Sequence, residues 1–175
     1  MTQATAQASI SGRSRDGIAQ RLAADLRDGY VVNLGVGIPL LIPQYILADV
    51  EVILHAENGV LGLGALQVSA RGDLANWYVP GKNPSVGGAM DLVAGAREVW
   101  VVMKHVDRAG QPKIVGQCTF PLTGREVVTR VYTDLAVFHL VDGELRLTEC
   151  APGVTPAAVR ERTGAPYVED FHPEG

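Results

Sequence analysis

The segment YVVNLGVGIPLLIPQYILADVEVILH, residues 30–55, decides how the chain is read. Tyr30 to Leu34 is a short apolar and β-branched run, the composition of a buried strand. GVGIP then turns the chain sharply. Pro39 suits the first turn of a helix, which runs to about Ala48. EVILH (51–55) is a second buried strand. Upstream, SRDGIAQRLAADLRDG places Ile18, Leu22 and Leu26 at spacings of four, with Gly29 closing the pattern as a helix C-cap. Helix, strand, helix, strand is the order of a right-handed crossover in a parallel sheet.

Further along, EVWVVM (98–103) is a continuous apolar run and is expected at the centre of the sheet. VVTRVYT and LAVFHLV are further strands, and Asp142-Gly143 is a hairpin turn leading into ELRLTEC. The last helix takes Thr155 as N-cap, Pro156 as its first residue and Gly164 as its end. The expected fold is α/β: an open, largely parallel sheet flanked by helices, with an antiparallel C-terminal edge. In such sheets ligands bind beyond the carboxyl ends of the strands, so GVG (35–37) and AENGVLGLG (56–64) should face one crevice. Residues 65–91, rich in Gly, Pro, Asn and Asp, are too long for a plain connector and read as functional.

The 175 residues suit a single domain spanning 14–175, behind a flexible Ala/Ser/Thr-rich tail at 1–13. A net charge of −4 with dispersed Lys and Arg argues against nucleic acid as the main partner. No apolar run reaches the ~20 residues that span a bilayer. Cys118 and Cys150 are far apart and read as reduced thiols of a cytoplasmic protein; neither they nor the four histidines show metal-ligand spacing. No metal site is expected.

The glycines around Glu57 allow three readings. A dinucleotide fingerprint fits badly, because GVGIPL carries Leu40 where the third glycine belongs. Alternatively, the glycines let a ligand approach the backbone and offer N–H groups to an oxyanion, and Glu57 is a poorly hydrated nucleophile for an activated acyl group such as a thioester. The plain alternative is a helix-capping or surface-paired acid.

LHAENGVLG (54–62) resembles the glutamate signature of family I CoA-transferases. SRDGIAQRLAADLRDGYVVNLGVGIP, GALQVSARGDLANWYVPGK, GGAMDL and CTFPLTG resemble, in the same order, segments of the B-type chain of the bacterial 3-oxoacid enzymes of that family. The resemblance runs from about Ser14 to Val168. It implies a ping-pong transfer in which Glu57 attacks an acyl-CoA, with succinyl-CoA the expected donor. The path goes through a glutamyl-CoA thioester before a 3-oxoacid or 3-oxoadipate takes the CoA. The resemblance further implies backbone donors at Gly35, Gly37, Gly64 and Ala65 and a turn fixed by Asn58 and Gly59. Lys82 in PGK is read either as a contact to a CoA phosphate or as a solvated loop lysine, and Asn76 as a further CoA contact. Coenzyme A is then a substrate and no other cofactor is called for. A separate A-type CoA-transferase chain completes the site, in a heterotetramer. The competing readings are an acyl-CoA-binding module with impaired turnover and, on architecture alone, a sugar-phosphate isomerase or deacylase relative.

Two departures stand out. Ala56 occupies the family's Ser position before the glutamate. Several tens of family residues are also missing between Gly64 and Ala65, so that Gly64 is either the last glycine of the first motif or the first of the second, not both. Either the molecule carries residues that this sequence lacks, which the complete flanking motifs favour, or the chain is a genuine truncation.

Overall fold

The computed structural model describes residues 11–54, 59–78, 81 and 89–171. Strands β1 (Val31–Leu34), β2 (Ile53–Leu54), β3 (Val60–Leu63), β6 (Glu98–Val102), β8 (Val128–Tyr132), β9 (Ala136–Val141), β10 (Glu144–Cys150) and β11 (Val168–Glu169) form one sheet in the order β11-β10-β9-β8-β6-β3-β1-β2. From β2 through β8 every pairing is parallel; β8-β9-β10 is antiparallel, and β11 rejoins in parallel. The α/β expectation is borne out, with β6 central as its apolar run required. A second sheet of three short strands, β4 (Gln67–Ser69), β5 (Leu74–Ala75) and β7 (Ile114–Val115), was not foreseen. It is built partly from the 65–91 segment, whose residues 79–80 and 82–88 fall outside the described ones.

Strand alternation divides two cores. Val32, Val60, Trp100, Val102, Tyr132 and Val137 point to one face, where helix α1 (Arg15–Ala23) covers them with Ile18, Ala19, Leu22 and Ala23. Leu61, Leu63, Val99, Val101, Val131 and Phe138 point to the other face. There they meet Val68, Leu74 and Ile114 of the small sheet, Val93 of α2 (Ala89–Gly95) and Val159 of α3 (Pro156–Arg160). Burial on both faces explains why these strands read as continuous apolar runs.

Helix α1 starts where Ser14 Oγ accepts the Gly17 N–H at 3.0 Å. Its end differs from the expectation: the helix closes at Ala24, and Gly29 (φ +77°) instead makes the later turn into β1, donating its N–H to Glu51 O. The stretch after Gly37 is a 3-10 helix, Ile38–Tyr45, rather than an α-helix to Ala48. Pro43 has no N–H for the carbonyl four residues back and its ring crowds that carbonyl, which blocks α-geometry. Helix α3 has the expected Thr155 cap and Pro156, but it ends at Arg160, before Gly164. Of EVILH, Ile53–Leu54 form the edge strand, both more than half exposed, with no described strand beyond them; His55 lies outside the described residues. The Asp142-Gly143 turn is as expected, both residues with positive φ.

The N-terminus is tied to the C-terminal strands by charge. Arg13 and Arg21 both hold Glu149 of β10, Arg21 at 2.6 Å. Asp25 accepts from Arg21 at 2.7 Å and from the Tyr132 hydroxyl at 2.6 Å. Half-buried and multiply bonded, this network holds more than an isolated surface pair would.

Candidate active site

The carboxyl ends of β1 and β3 lie side by side. Gly35 donates its N–H to Gly62 O at 2.8 Å, and a Cβ at Gly35 would stand 2.8 Å from Leu63 Cδ2. A side chain at 35 would have to displace the end of Leu63, and the Gly35 amide is already engaged. Gly37 has φ +93°, outside the range side chains tolerate, and it redirects the chain into the 3-10 stretch. A Cβ built on Gly64 comes within 3.8 Å of Val36 O and 4.0 Å of Val102 O. The 35–37 bend and the 64–65 backbone thus meet at one sheet edge, as the sequence implied. Ala65 is buried, and Leu66 N–H donates to Ala75 O, linking this edge to the small sheet.

Glu57, Asn58 and Lys82 lie outside the described residues. Gly59 is described and tightly held: with φ +123°, an added Cβ would be 2.0 Å from Val31 O. Its own carbonyl accepts the Arg97 N–H at 3.0 Å. Asn76 is half-buried in a polar knot with Thr123, accepting its hydroxyl at 2.7 Å. The structure brings together the 35–37 bend, Gly64 and Ala65, and the Leu66–Ala75 bond sets Asn76 beside Ala65; Gly59 lies at the opposite end of β3.

Beyond β6 and β8 opens a crevice of about 1130 Å³, lined among others by Leu66, Gln67, Lys104, Lys113, Phe120 and Asp134. This is ample for a drug-sized or larger ligand. Gln67 is fixed by Thr119, which receives its amide N–H at 3.0 Å and donates its own backbone N–H to the Gln67 carbonyl at 2.8 Å. Behind the crevice His105 is fully buried between Thr133 and Thr163, at 2.9 and 3.0 Å. Burial pushes its pKa down to about 4, against a smaller opposing pull from Asp134, so it is neutral at pH 7. Sequence reasoning passed over this crevice. The available signal was a lysine opening an apolar strand, PKIV at 112–115, close after a charged loop. Among the described residues no cluster of His, Cys, Asp or Glu could hold a metal ion.

A parallel sheet with glycine turns at its carboxyl edge and an apolar crevice nearby defines an α/β protein of the class whose ligands sit beyond the strand ends. The particular family follows from comparison: the coenzyme A transferase family model matches residues 15–69 and 55–162, two matches that share 55–69. The chain belongs to that family, and the expected class, a CoA-transferase, is borne out. It is 37% identical over 207 aligned positions to the B subunit of 3-oxoadipate CoA-transferase from Pseudomonas putida, with 89% of this chain and 97% of the relative covered. It is also 37% identical over 197 positions to the beta subunit of acetate CoA-transferase from Escherichia coli, covering 86% and 91%. In the first alignment, 207 positions against 89% of a 175-residue chain leave several tens of the relative's residues opposite nothing here. Among solved structures, the acyl-CoA transferase apoenzyme of Escherichia coli O157:H7 superposes with a TM-score of 0.73 at 20% identity. That match takes in 90% of this chain but only 42% of that longer protein, and it speaks for the fold alone. No helix of the described residues is long and apolar enough to cross a membrane.

Proposed function

We propose that this chain is the glutamate-bearing B subunit of a cytoplasmic CoA-transferase, moving CoA from succinyl-CoA to a 3-oxoacid of the acetoacetate or 3-oxoadipate type. Glu57 attacks the thioester carbonyl; the C–S bond breaks and CoA leaves as thiolate, giving a mixed anhydride. The thiolate attacks the glutamyl carbonyl and expels the first acid as carboxylate, giving glutamyl-CoA. The acceptor carboxylate then reverses both steps, so no net proton or redox change occurs. The observation that carries this reading is the meeting of the 35–37 bend with the Gly64 backbone in a chain bearing the HAENG motif. Gly37, Gly64 and Ala65 are its backbone donors to the oxyanion, each worth a few kcal/mol in a dry site. Gly35 keeps the bend close to Leu63, Asn58 and Gly59 shape the turn, and Lys82 and Asn76 contact CoA. A separate A-type chain, implied by the lettered subunit names of the relatives, completes the site in a heterotetramer.

A specific observation favours a second reading, an acyl-CoA-binding module with impaired turnover. β2 and β3 flank β1 on opposite sides, both parallel to it, and only residues 55–59 join them. Parallel strands ordinarily need a dozen or more connecting residues. The described ends of the connection are Leu54, level with Val32, and Gly59, whose added Cβ would meet Val31 O.

One experiment separates the readings. The chain is mixed with its candidate A-type partner chain and succinyl-CoA, the acceptor is omitted, and Glu57 is examined by mass spectrometry for attached CoA. An adduct absent from Glu57→Ala supports the transferase. Bound acyl-CoA without adduct, with an adduct gained when the relative's extra segment is inserted after Gly64, supports the impaired module.

A further inference from the structure

The walls of the large crevice are mainly apolar, with Leu66, Val106, Pro112, Val115 and Phe120. Three cations face it. Lys104 is satisfied, donating to Asp134 at 3.1 Å and to Arg13 O at 3.2 Å. Arg108 is exposed to solvent. Lys113 differs from both. Its main chain is clamped, N–H to His105 O at 3.0 Å and C=O from Val68 N–H at 2.9 Å. Its side chain is half-buried, and no described residue hydrogen-bonds or ion-pairs with its ammonium.

The acids nearest Lys113 are committed elsewhere. Asp134 takes Lys104 on one oxygen and the His105 N–H, at 2.8 Å, on the other. Asp107 accepts the N–H groups of Ala109 and Gln111 at 2.8 and 2.9 Å. His105, the remaining titratable neighbour, is neutral and bonded on both ring nitrogens. The ammonium keeps some contact with solvent, and an anion bound beside it in this apolar crevice would supply the charge-assisted hydrogen bond it lacks.

We propose that Lys113 is the receptor for a carboxylate of the small acid substrate, held in this crevice. Arg108 also lacks a described partner but is exposed; the one half-buried cation, Lys113, set among apolar side chains, suits one carboxylate better than the clustered phosphates of a CoA head group, which call for several cations. The inference rests on the transferase reading for the identity of the acid, but binding itself does not require transfer. Burial lowers the Lys113 pKa to about 8, opposed by Asp107 and Asp134. A bound carboxylate restores the charged form, so binding at pH 8 takes up a proton.

The test is calorimetric titration of the full chain with succinate at pH 8, in HEPES and in Tris, whose ionisation heats differ. Roughly half a proton is taken up per succinate bound. Lys113→Met weakens succinate by about 10-fold or more, the value of a charge-assisted hydrogen bond. Lys113→Arg, which cannot deprotonate, binds within a few-fold of the parent with no uptake. Unchanged succinate affinity in Lys113→Met overturns the proposal, as does uptake that persists in Lys113→Arg. Uptake driven by adenosine 3′,5′-bisphosphate and not by succinate overturns it in favour of phosphate. Should Lys113→Met fail to fold, the Arg variant alone decides. Succinate uptake lost in Lys113→Arg, in a chain that forms no Glu57 adduct, leaves this inference standing while the transfer reading falls.

Discussion

Replacing Gly59 by alanine tests the account of the β2–β3 connection. The new methyl group would sit 2.0 Å from Val31 O, 2.8 Å from Val31 C and 2.9 Å from Val31 Cβ. Those are backbone and Cβ atoms of a paired strand, so no side-chain rotation relieves the overlap. At φ +123° the backbone itself is also closed to alanine. A forbidden backbone conformation costs ~1–3 kcal/mol and forced overpacking a similar amount, for a total of about 4 kcal/mol. For a chain of this size that lowers Tm by roughly 8–16 °C. Gly29→Ala is the control, because Gly29 has φ +77° but nothing within 4 Å of the added Cβ. It carries only the left-handed cost of about 1 kcal/mol. Urea unfolding, followed by the fluorescence of fully buried Trp100, measures both. If Gly59→Ala unfolds within ~1 kcal/mol of Gly29→Ala, the close passage of residue 59 over β1 is wrong.

Two further outcomes concern titration. His105 has a folded pKa of about 4, below its unfolded value near 6.5, so the unfolded chain binds the proton more readily. Its contribution is fully present above pH ~6.5 and is lost as pH falls toward 4, about 3 kcal/mol in all; acid-unfolding curves of His105→Gln should be flatter across that window, and equal slopes would count against the burial argument. Cys118 is the second case. Burial first, then the charge of Asp73, push its thiol up to about 11. Alkylation at pH 8 should run about 100-fold slower in the folded chain than in urea, and equal rates would show the thiol to be exposed.

How much was legible in the sequence varies by element. The strands from β6 onward announced themselves, because burial on both faces leaves little but Val, Leu, Ile and aromatics. Asp142-Gly143 did so as well, since the turn geometry admits few other pairs. The 3-10 stretch is harder to foresee, because Pro39 suits the start of an α-helix while Pro43 blocks its next turn. EVILH looked buried because its composition is apolar; that composition does not say which neighbour will cover it. The small sheet was hidden, because its strands are two or three residues long and pair across distant segments. At the site, glycine spacing reported the 35–37 and 64–65 approach well. Lys113 was missed because its significance lies in the absence of a partner, a property of the folded surroundings.

The Arg21–Glu149 contact joins residues 128 positions apart. A ribosome adding ~5–20 residues per second needs roughly 6–26 s between making the two. Early in that interval Ile18 and Leu22 of the first helix can meet only Ile42 of the 3-10 segment; Trp100, Tyr132 and Val137, which complete their pocket, are made later. The helix gains its full cover only once β9 has been synthesised, although it is among the first segments translated.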